Sequence, residues 1–478
     1  MIKFGTGGFR GIIGDDFNKA NVKLIAQALS NIVKENNSNK PIIVGYDNRF
    51  MSDFAARWFA ETLAANGMRV FIYTLSVPTP CVMSATRDMG NDYGIMITAS
   101  HNPYYFNGVK VFTKNGYDAD VVFTNNVETH INNVKEVKTM DYYEAKRRWL
   151  IQDFNDTNLY LSHIKRFLSY KMKENNLKLL FNNMNGVGVV GLKPLANDLD
   201  IKQFDVINDD HDAFFSFSLP NPTYEALKGE FVDQVVNGGY DAGFATDSDG
   251  DRLGIIDEKG NYVNANEILA CLYYYLITKR GEKGDIVINL ATSKLIPLVA
   301  EKLGFKCHEV DVGFKNITSG MTKYDALIGG ESSGGLTMRG YLYGKDAVFA
   351  SALVMEMMIL ENKPISQIVS DVKKFANFHH AFLEDFIPLK SSVEKIVSYI
   401  ENNLPVFDKE VTKYERYGRN FKFTFDNNEW FLIRLSGTEP AFRLFAETQN
   451  REDGIKLIND LRKYINKVQN VIEEEKND

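Results

Sequence analysis

The first 120 residues alternate between two patterns of apolar and polar positions. Apolar side chains recur every three to four residues in Asn18–Asn36 and Ser52–Asn66, which predicts two amphipathic helices, the second ended by Gly67. Short apolar runs, typical of buried strands, occupy Pro41–Tyr46, Arg69–Tyr73 and Tyr93–Ile97. Strands that alternate with helices predict a parallel α/β sheet, in which ligands bind beyond the carboxyl ends of the strands.

The same alternation returns twice more, after a polar stretch around Lys135–Asp156 that predicts a helical connector. The predicted strands of these later units are Leu177–Phe181, Ala242–Thr246, Asp285–Asn289 and Ala326–Ile328. The predicted helices are Gly186–Leu195, Glu267–Thr278, Lys294–Leu303 and Asp346–Leu360. The pattern therefore predicts three successive α/β units with mixed, mostly parallel sheets.

The last hundred residues follow a different pattern. Aromatic residues alternate with polar ones at Phe421, Phe423 and Phe425. A hairpin turn is predicted at Asp426–Glu429, and Trp430–Leu435 would be the return strand. A closing amphipathic helix is predicted by Ile455, Ile458, Leu461, Ile465 and Val468. This segment indicates a smaller C-terminal α+β domain with an antiparallel sheet.

Composition narrows the class of protein. The chain has 478 residues, of which 44% are hydrophobic and 24% charged, typical of a globular protein of about three domains. A net charge of −7 argues against a nucleic-acid partner but leaves room for a local basic pocket that binds a small anion. Three scattered cysteines without a CxxC motif favour a reducing compartment. Neither a signal peptide nor a bilayer-length apolar stretch is visible, so we expect a cytoplasmic protein without a membrane partner.

The segment Thr98–Pro103 follows a predicted strand and contains Ser100 and His101. Its residue types are those of a helix N-cap, which is the plainer interpretation. The functional interpretation is a nucleophilic or phosphorylated serine at a strand end, where a helix N-terminus would favour a phosphate dianion. No Gly-x-Ser-x-Gly elbow is present, which argues against an ordinary serine hydrolase.

Three carboxylates stand at every second position directly after the predicted strand Ala242–Thr246, at Asp247, Asp249 and Asp251. They can turn three oxygens onto one hard cation, and three like charges this close repel unless something positive lies between them. An EF-hand is rejected, because Arg252 stands where the loop needs glycine and strands flank it. With three protein carboxylates, Mg²⁺ would keep open positions for a phosphate oxygen.

Two further loops have weaker sequence evidence for ligand binding. Arg434–Pro440, with Arg443 downstream, combines two guanidinium groups, two hydroxyls and a glycine turn, which suits a phosphate dianion as well as a plain strand-to-turn connection. Gly329–Gly335 is a glycine-rich turn in which Glu331 and Ser333 could bind sugar hydroxyls. The remaining candidates are isolated basic residues, more often solvated than functional: Arg10, Lys110 and Lys315.

Together these motifs resemble the α-D-phosphohexomutase superfamily, which includes phosphoglucomutases, phosphomannomutases and phosphoglucosamine mutases. The resemblance covers nearly the whole chain and includes an N-terminal motif, Phe4–Gly11, and the four loops in the family's order. It implies four domains around a central cleft, at residues 1–148, 149–258, 259–372 and 373–478, each with one functional loop.

The resemblance also implies a role for each matching residue. Ser100 would carry a phosphoryl group, and its phosphate would hold Mg²⁺ together with Asp247, Asp249 and Asp251. Glu331 and Ser333 would read sugar hydroxyls. The residues that would surround the transferring phosphoryl group or bind the substrate are Arg10, Lys110, Arg252 and Lys315. The residues that would grip the non-reacting phosphate are Arg434, Ser436, Gly437, Thr438 and Arg443.

The implied reaction passes a phosphoryl group from Ser100 to a hexose monophosphate and takes the other phosphate of the 1,6-bisphosphate back. Lys110 is our candidate general acid–base, on the expectation that burial among cations lowers its pKa, and His101 would position the serine loop. Gly335 and the Gly313–Lys315 loop stand where some bacterial phosphomannomutases have histidine. We therefore expect glucose 1-phosphate as the substrate and glucose 1,6-bisphosphate as the activator.

Three alternatives remain open from the sequence. The chain could be a phosphoglucosamine mutase, a non-catalytic relative, or a phosphatase in which water intercepts the phosphoserine. A non-catalytic relative would be expected to lose Ser100 or a metal aspartate, and all are present. Opening and closing of the cleft is expected for an enzyme that binds a bisphosphate in two orientations. The protein would act as a monomer or homodimer on hexose phosphates.

Overall fold

The computed structural model describes residues 2–5, 8–169, 174–390, 392–435 and 441–474. These residues divide into two compact units. One is formed by Met1–Asn289 and Val299–Val372, and the other by Leu290–Leu298 and Lys373–Asp478. The first unit contains three sheets and the second contains one. No helix in the described ranges is long and apolar enough to cross a membrane.

The first sheet has eight strands. They are β1 (Phe4–Gly5), β2 (Gly8–Ile12), β3 (Ile42–Tyr46), β4 (Val70–Tyr73), β5 (Tyr93–Ile97), β6 (Phe106–Thr113), β7 (Tyr117–Asp118) and β8 (Ile151–Phe154). The order is β1-β2-β6-β5-β3-β4-β8, with β7 paired to β6. Strands β5, β3, β4 and β8 are parallel, whereas β6 runs antiparallel to β5 and β2. The sheet is mixed because the chain reverses directly after β5.

The helices of this region are α1 (Lys19–Glu35), α2 (Ser52–Ala65), α3 (Thr79–Asp88), α4 (Val121–Asn133), α5 (Tyr142–Arg147) and α6 (Thr157–Lys165). Helix α1 buries the apolar stripe that the spacing predicts, and Asn18 caps its N-terminus by accepting from the Asn21 N–H. The prediction of a helical connector over Lys135–Asp156 is wrong in part. This stretch contains the short helix α5 and then β8, which pairs with β4 and extends the first sheet beyond residue 148.

The second sheet has five strands. They are β9 (Lys178–Asn182), β10 (Gln203–Ile207), β11 (Ala242–Thr246), β12 (Leu253–Asp257) and β13 (Tyr262–Val263). The order is β10-β9-β11-β12-β13, parallel on the β10–β9–β11 side and antiparallel beyond it. Its helices are α7 (Val189–Asp198), α8 (Tyr224–Leu227) and α9 (Glu230–Asn237). The tight β11–β12 connection lies at the carboxyl end of β11, where the sequence places the aspartates.

The third sheet has four strands. Helices and strands in this region are α10 (Ala265–Thr278), β14 (Ile286–Asn289), α11 (Leu295–Lys302), β15 (Cys307–Val310), α12 (Phe314–Tyr324), β16 (Ile328–Gly330), β17 (Leu336–Met338), α13 (Ala347–Glu361) and α14 (Ile365–Ala376). The order is β15-β14-β16-β17. Strand β16 begins two residues later than Ala326, because the residues that pair with β14 are Ile328–Gly330.

The fourth sheet is antiparallel throughout and forms the C-terminal α+β domain that the sequence predicts. Its elements are β18 (Ala381–Pro388), α15 (Val393–Asn402), β19 (Lys413–Tyr417), β20 (Asn420–Thr424), β21 (Trp430–Leu435), β22 (Ala441–Thr448) and α16 (Arg451–Glu474). The order is β18-β22-β21-β20-β19. Apolar residues of α15 and α16 pack with Phe421, Phe423 and Phe425 in one core. The predicted fold class, three α/β units followed by an α+β domain, is confirmed.

Asp346 caps helix α13 from a fully buried position. Its carboxylate accepts the Phe349 N–H at 2.9 Å, the Tyr160 hydroxyl at 2.8 Å and the Tyr341 hydroxyl at 2.6 Å. Burial raises the pKa of Asp346 to about 6, against the hydrogen bonds that favour the ionised form. The folded protein therefore holds a proton at this carboxyl that the unfolded chain releases near pH 4.

We expect this stabilising contribution to be fully present below about pH 4 and to be lost as the pH rises through about 6, a change of about 3 kcal/mol. Asp346→Asn keeps the capping oxygen but does not titrate. Its melting temperature should therefore rise relative to that of the native protein as the pH is raised from about 5 to about 7.5. Asp120 caps α4 in the same way but is exposed, so Asp120→Asn serves as the control. A melting-temperature difference for Asp346→Asn that does not change with pH would contradict the prediction.

Candidate functional site

Ser100 lies in a turn between two antiparallel strands. The described residues between β5 and β6 form no helix, and the chain enters β6 at Phe106, whose N–H donates to Pro103 O at 3.0 Å. The helix N-cap interpretation of Thr98–Pro103 is therefore wrong, and so is the expectation of a helix N-terminus beneath a phosphate. The reversal into β6, which pairs with β5 along its length, leaves no room for a helix here.

The backbone of Ser100 adopts the left-handed conformation, with φ of 51°. For a residue with a side chain this conformation costs about 1–3 kcal/mol and persists only where neighbouring groups hold it. The Ser100 N–H donates to Thr98 Oγ1 at 2.8 Å. Ser100 is fully buried, and its Oγ donates to Asp247 Oδ2 at 2.9 Å and lies 3.4 Å from His101 Nδ1. The strained turn thus directs the serine oxygen onto the first aspartate of the second sheet.

The three aspartates form one compact cluster. Strands β11 and β12 flank their loop, so the rejection of an EF-hand is confirmed. One carboxylate oxygen of each of Asp247, Asp249 and Asp251 lies within 4.8 Å of the others, and all three residues are buried. Asp247 Oδ1 accepts the backbone N–H groups of Asp251 and Arg252 at 2.9 and 3.0 Å, which fixes its orientation.

Two lysines from distant parts of the chain neutralise part of this charge. Lys110, on β6, places Nζ 2.6 Å from Asp249 Oδ2 and 3.0 Å from Asp251 Oδ2. Lys345, just before α13, places Nζ 2.9 Å from Asp251 Oδ2. Sequence reasoning missed Lys345, because a single lysine before a helix has no local signal that sets it apart.

The pKa values within the cluster diverge. Burial, together with the charges of Asp251 and Asp249, raises the pKa of Asp247 well above its ordinary value. Burial also acts on Asp251, but Lys110 and Lys345 outweigh it and lower the pKa of that carboxyl. The expectation that the pKa of Lys110 is lowered is wrong: burial lowers it, but Asp249 and Asp251 raise it further, so the net shift is upward.

The donor set fits a small divalent cation. Asp249 Oδ2 accepts from Thr79 Oγ1 at 2.7 Å and from Lys110, whereas Asp249 Oδ1 is buried without a hydrogen-bond partner among the described residues. A buried carboxylate oxygen without a partner is costly unless a cation completes its coordination. Three carboxylates at this spacing match the oxygen ligands that Mg²⁺ prefers.

The N-terminal and sugar-loop candidates have defined neighbours in the first unit. Arg10, on β2, donates through Nη1 to Asn102 Oδ1 in the serine loop. Arg252 Nε lies 3.9 Å from Asp251 Oδ1. Glu331 Oε1 accepts the Gly313 N–H at 3.0 Å. The structure thus joins Arg10 and Arg252 to the serine and aspartate loops, and Glu331 to Gly313, two residues before Lys315.

The side chain of Lys345 packs closely against Gly335 in the glycine-rich loop. A Cβ atom on Gly335 would lie 2.4 Å from the Lys345 side chain, so a larger residue at position 335 would displace the lysine that pairs with Asp251. In the same loop, Ser333 Oγ donates to Glu331 Oε2 at 3.4 Å. Lys315 lies half-buried in the first turn of α12. The absence of histidine at 335 therefore has a steric reason in this chain.

The arginines of the predicted phosphate loop lie in the second unit. Arg434 on β21 and Arg443 on β22 are directly opposed across the antiparallel pair. Side chains of opposed residues lie on the same face of a sheet, so two positive charges are adjacent there. Arg443 Nη1 also pairs with Glu384 Oε1 at 2.9 Å. Ser436, Gly437 and Thr438 lie outside the described residues.

Three protein-family profiles together match most of the chain. Residues 1–138, 158–260 and 264–375 match phosphoglucomutase/phosphomannomutase α/β/α domains I, II and III, in that order. The chain belongs to the α-D-phosphohexomutase superfamily. The resemblance stated from the motifs is confirmed, and members of this superfamily are phosphomutases, a class of isomerase.

Curated relatives within the superfamily differ in their named substrates. A phosphoglucomutase/phosphomannomutase of Thermococcus kodakarensis is 27% identical and aligns with 96% of this chain and 99% of the relative. A phosphopentomutase of the same organism is 30% identical, with 95% and 96% aligned. A phosphoglucosamine/phosphogalactosamine mutase of Sulfurisphaera tokodaii is 28% identical, with 97% and 98% aligned.

Solved structures of the superfamily share the fold. A Thermus thermophilus protein described as a phosphomannomutase superposes with a TM-score of 0.85 at 26% identity, covering 97% of this chain and 99% of that one. An Aspergillus fumigatus N-acetylphosphoglucosamine mutase, in complex with GlcNAc-6P and magnesium, superposes with a TM-score of 0.57 at 14% identity, covering 99% and 96%.

Proposed function

We propose that this phosphomutase interconverts glucose 1-phosphate and glucose 6-phosphate, with Ser100 as the phosphoryl carrier and a 1,6-bisphosphate as the intermediate. The observation that supports this most directly is the position of Ser100 Oγ, 2.9 Å from Asp247 in a cluster of three buried aspartates. A phosphoryl group on this oxygen would stand beside the carboxylates, where its negative charge requires a cation.

In the first half of the reaction, the bond between Ser100 Oγ and phosphorus breaks, and a bond from the free sugar hydroxyl to phosphorus forms. The sugar hydroxyl loses its proton and the serine oxygen gains one, so no net proton is consumed. The second half repeats these steps in reverse with the other phosphate of the bisphosphate. Phosphate monoesters hydrolyse extremely slowly without catalysis, which allows a phosphoserine to persist between turnovers.

Positive side chains around Ser100 would stabilise the charge of the transferring group. Lys110 acts through its permanent charge rather than as a base, because Asp249 and Asp251 raise its pKa. Lys345 joins it as a further catalytic cation, since it contacts the same aspartate. Arg10 and Arg252 contribute guanidinium groups at the serine and aspartate loops. His101, adjacent to Ser100 Oγ, positions the loop.

Asp247, Asp249 and Asp251 would hold Mg²⁺ together with an oxygen of the Ser100 phosphate. When bound, the ion supplies Lewis-acid neutralisation of phosphoryl charge. The unpartnered Asp249 Oδ1 supports this assignment, as does the magnesium found in the Aspergillus fumigatus neighbour.

Substrate recognition would be divided between two loops. Glu331 and Ser333 bind sugar hydroxyls together with Lys315, which lies two residues after the Gly313 that Glu331 contacts. Arg434, Arg443, Ser436, Gly437 and Thr438 grip the phosphate that does not react. The register that places Arg434 opposite Arg443 on one face of the sheet supports this role, because neighbouring guanidinium groups can bind one phosphate.

Glucose is the lead substrate in this proposal because Gly335 and Gly313–Lys315 stand where some phosphomannomutases have histidine, and Lys345 fills the space beside Gly335. Phosphoglucosamine mutase is the second candidate, since the Sulfurisphaera tokodaii relative has that named activity at similar identity. We also propose a cytoplasmic enzyme that acts as a monomer or homodimer. The three cysteines, Cys81, Cys271 and Cys307, are scattered along the chain without a CxxC motif, which supports a reducing compartment.

A substrate panel tests the proposal. Purified, phosphorylated protein would be assayed with Mg²⁺ and trace glucose 1,6-bisphosphate on the 1-phosphates of glucose, mannose, glucosamine and a pentose. We expect kcat/KM for glucose 1-phosphate to exceed that for glucosamine 1-phosphate by about tenfold or more.

The other outcomes of the panel are each informative. A preference for glucosamine or pentose 1-phosphate would reject the glucose assignment but keep the mutase. Release of inorganic phosphate at a rate comparable to isomerisation would indicate a phosphatase. No turnover of any sugar by protein shown to be phosphorylated would reject a catalytic function on these substrates.

A further inference from the structure

The carbonyl groups of the serine loop converge on one buried guanidinium, that of Arg49, which lies between β3 and α2. Arg49 Nη2 donates to Ser100 O and, at 2.6 Å, to Asn102 O. Its Nη1 donates to Pro103 O at 2.9 Å and to Phe106 O at 3.1 Å. Four carbonyls within seven residues of chain are thus bound by a single side chain, an arrangement that only the planar fork of arginine provides.

Arg49 is itself fixed by groups of two sheets. Its Nε lies 3.3 Å from Asp47 Oδ2, and both side chains are fully buried. The ring of Phe215, from the second sheet's region, lies 4.9 Å from the guanidinium carbon and covers one face. Ser248, in the aspartate loop, accepts from Arg49 Nη2 at 3.3 Å and donates to Ser100 O. The guanidinium therefore has little freedom to move.

The same network reaches the other side of Ser100. Asp47 Oδ2 accepts the Thr98 hydroxyl at 2.6 Å, and Thr98 Oγ1 accepts the Ser100 N–H at 2.8 Å. The Ser100 carbonyl is bound by Arg49 and Ser248. Both polar backbone groups of a residue with φ of 51° are therefore held by the Asp47–Arg49 pair, either directly or through one hydroxyl.

We propose that Arg49 is a positioning residue for the phosphoryl transfer: it holds the serine loop in the left-handed conformation that directs Ser100 Oγ onto Asp247. This inference rests on the proposed function of Ser100. Arg49 acts through the serine backbone, since its hydrogen bonds to that loop all go to carbonyl oxygens. A shift of the reacting oxygen by about 1 Å costs about 100-fold in rate.

Arg49→Gln and Arg49→Lys test the proposal. We expect kcat to fall about 100-fold in Arg49→Gln, with KM for glucose 1-phosphate changed less than about threefold, because the misplaced group is the nucleophile. Lysine keeps the charge but cannot bind four carbonyls, so Arg49→Lys should recover only part of kcat. Hydrogen–deuterium exchange of the peptide covering 98–106 should be faster in both variants than in the native protein.

Arg280→Gln is the matched control. Arg280 is also a largely buried arginine that binds a carbonyl, Phe167 O at 2.7 Å, and a buried carboxylate, Glu356 at 3.3 Å, but it lies apart from the serine loop. Its loss should lower the melting temperature without changing kcat or the exchange of 98–106.

Two results would overturn the role of Arg49. One is a folded Arg49→Gln, or Arg49→Lys if the first does not fold, whose kcat stays within about threefold of the native value. The other is a 98–106 segment that exchanges as slowly as in the native protein. If the native protein turns over no sugar, the proposed function fails, whereas the exchange data still decide whether Arg49 orders the loop.

Discussion

Replacing Ser100 by alanine is expected to lower the isomerisation rate at least about 1000-fold, the largest effect of any single substitution in this chain. In the proposed mechanism, the oxygen that the substitution removes is the protein atom that bonds covalently to phosphorus. Turnover of glucose 1-phosphate and the intact mass of the protein would be measured together. The variant should lack the phosphoryl mass that we expect the native protein to acquire from glucose 1,6-bisphosphate.

The control for this experiment is Ser84→Ala. Ser84 is also a fully buried serine of the first unit, and its Oγ donates to Asp88 Oδ2 at 2.8 Å, as Ser100 Oγ donates to Asp247. Ser84→Ala should retain native turnover and phosphorylation. Retention of more than about a tenth of native turnover by Ser100→Ala would contradict a phosphoserine mechanism.

Removing the proposed Mg²⁺ ion, or one of its proposed ligands, is expected to have the second largest effect. Chelation should lower the rate about 1000-fold, since Lewis-acid stabilisation of phosphoryl charge contributes several kcal/mol, and added Mg²⁺ should restore it. In Asp249→Asn, we expect the Mg²⁺ concentration for half-maximal activity to rise about 100-fold or more, because even outer-shell changes cost about 10–100-fold in metal affinity.

Thermal stability provides a readout that does not depend on turnover. A ligand that binds only the folded state raises the melting temperature, so Mg²⁺ should stabilise the native protein but not Asp249→Asn. Asp257→Asn is the control, since Asp257 is another buried aspartate of the second sheet, whose Oδ1 accepts the Asn261 N–H at 2.7 Å. Equal stabilisation of native protein and Asp249→Asn by Mg²⁺ would reject the three aspartates as its site.

The sequence predicts best those elements whose secondary structure is determined by their own residues. The strands Tyr93–Ile97 and Ala242–Thr246 have the predicted bounds, because every residue in these short apolar runs is buried. The aspartate cluster was equally predictable, since its three carboxylates are neighbours in the chain. The strand Ile151–Phe154 was missed because only its pairing with β4, far away in sequence, stabilises it as a strand.

The structure of the site differs from the sequence prediction where residues far away in the chain determine the local conformation or the pKa of a group. Thr98–Pro103 has the residue types of a helix start, but pairing of β6 with β5 makes it a turn. The pKa of Lys110 rises rather than falls because Asp249 and Asp251 reach it from more than a hundred residues away. Lys345 meets Asp251 across a similar separation, and no local pattern marks such a contact.

The unit that contains the fourth sheet is assembled from two separate stretches of the gene, Leu290–Leu298 and Lys373–Asp478. Glu447 is buried and accepts from Ser293 Oγ and, at 2.8 Å, from the Lys294 N–H, while the buried Lys422 donates to Leu290 O at 3.1 Å. A fragment expressed from codon 373 onward would leave both charged groups without these partners, at a cost of about 1–3 kcal/mol for each group. An attempt to produce this domain alone therefore has to graft the nine-residue segment back onto it, because no single cut in the chain releases it intact.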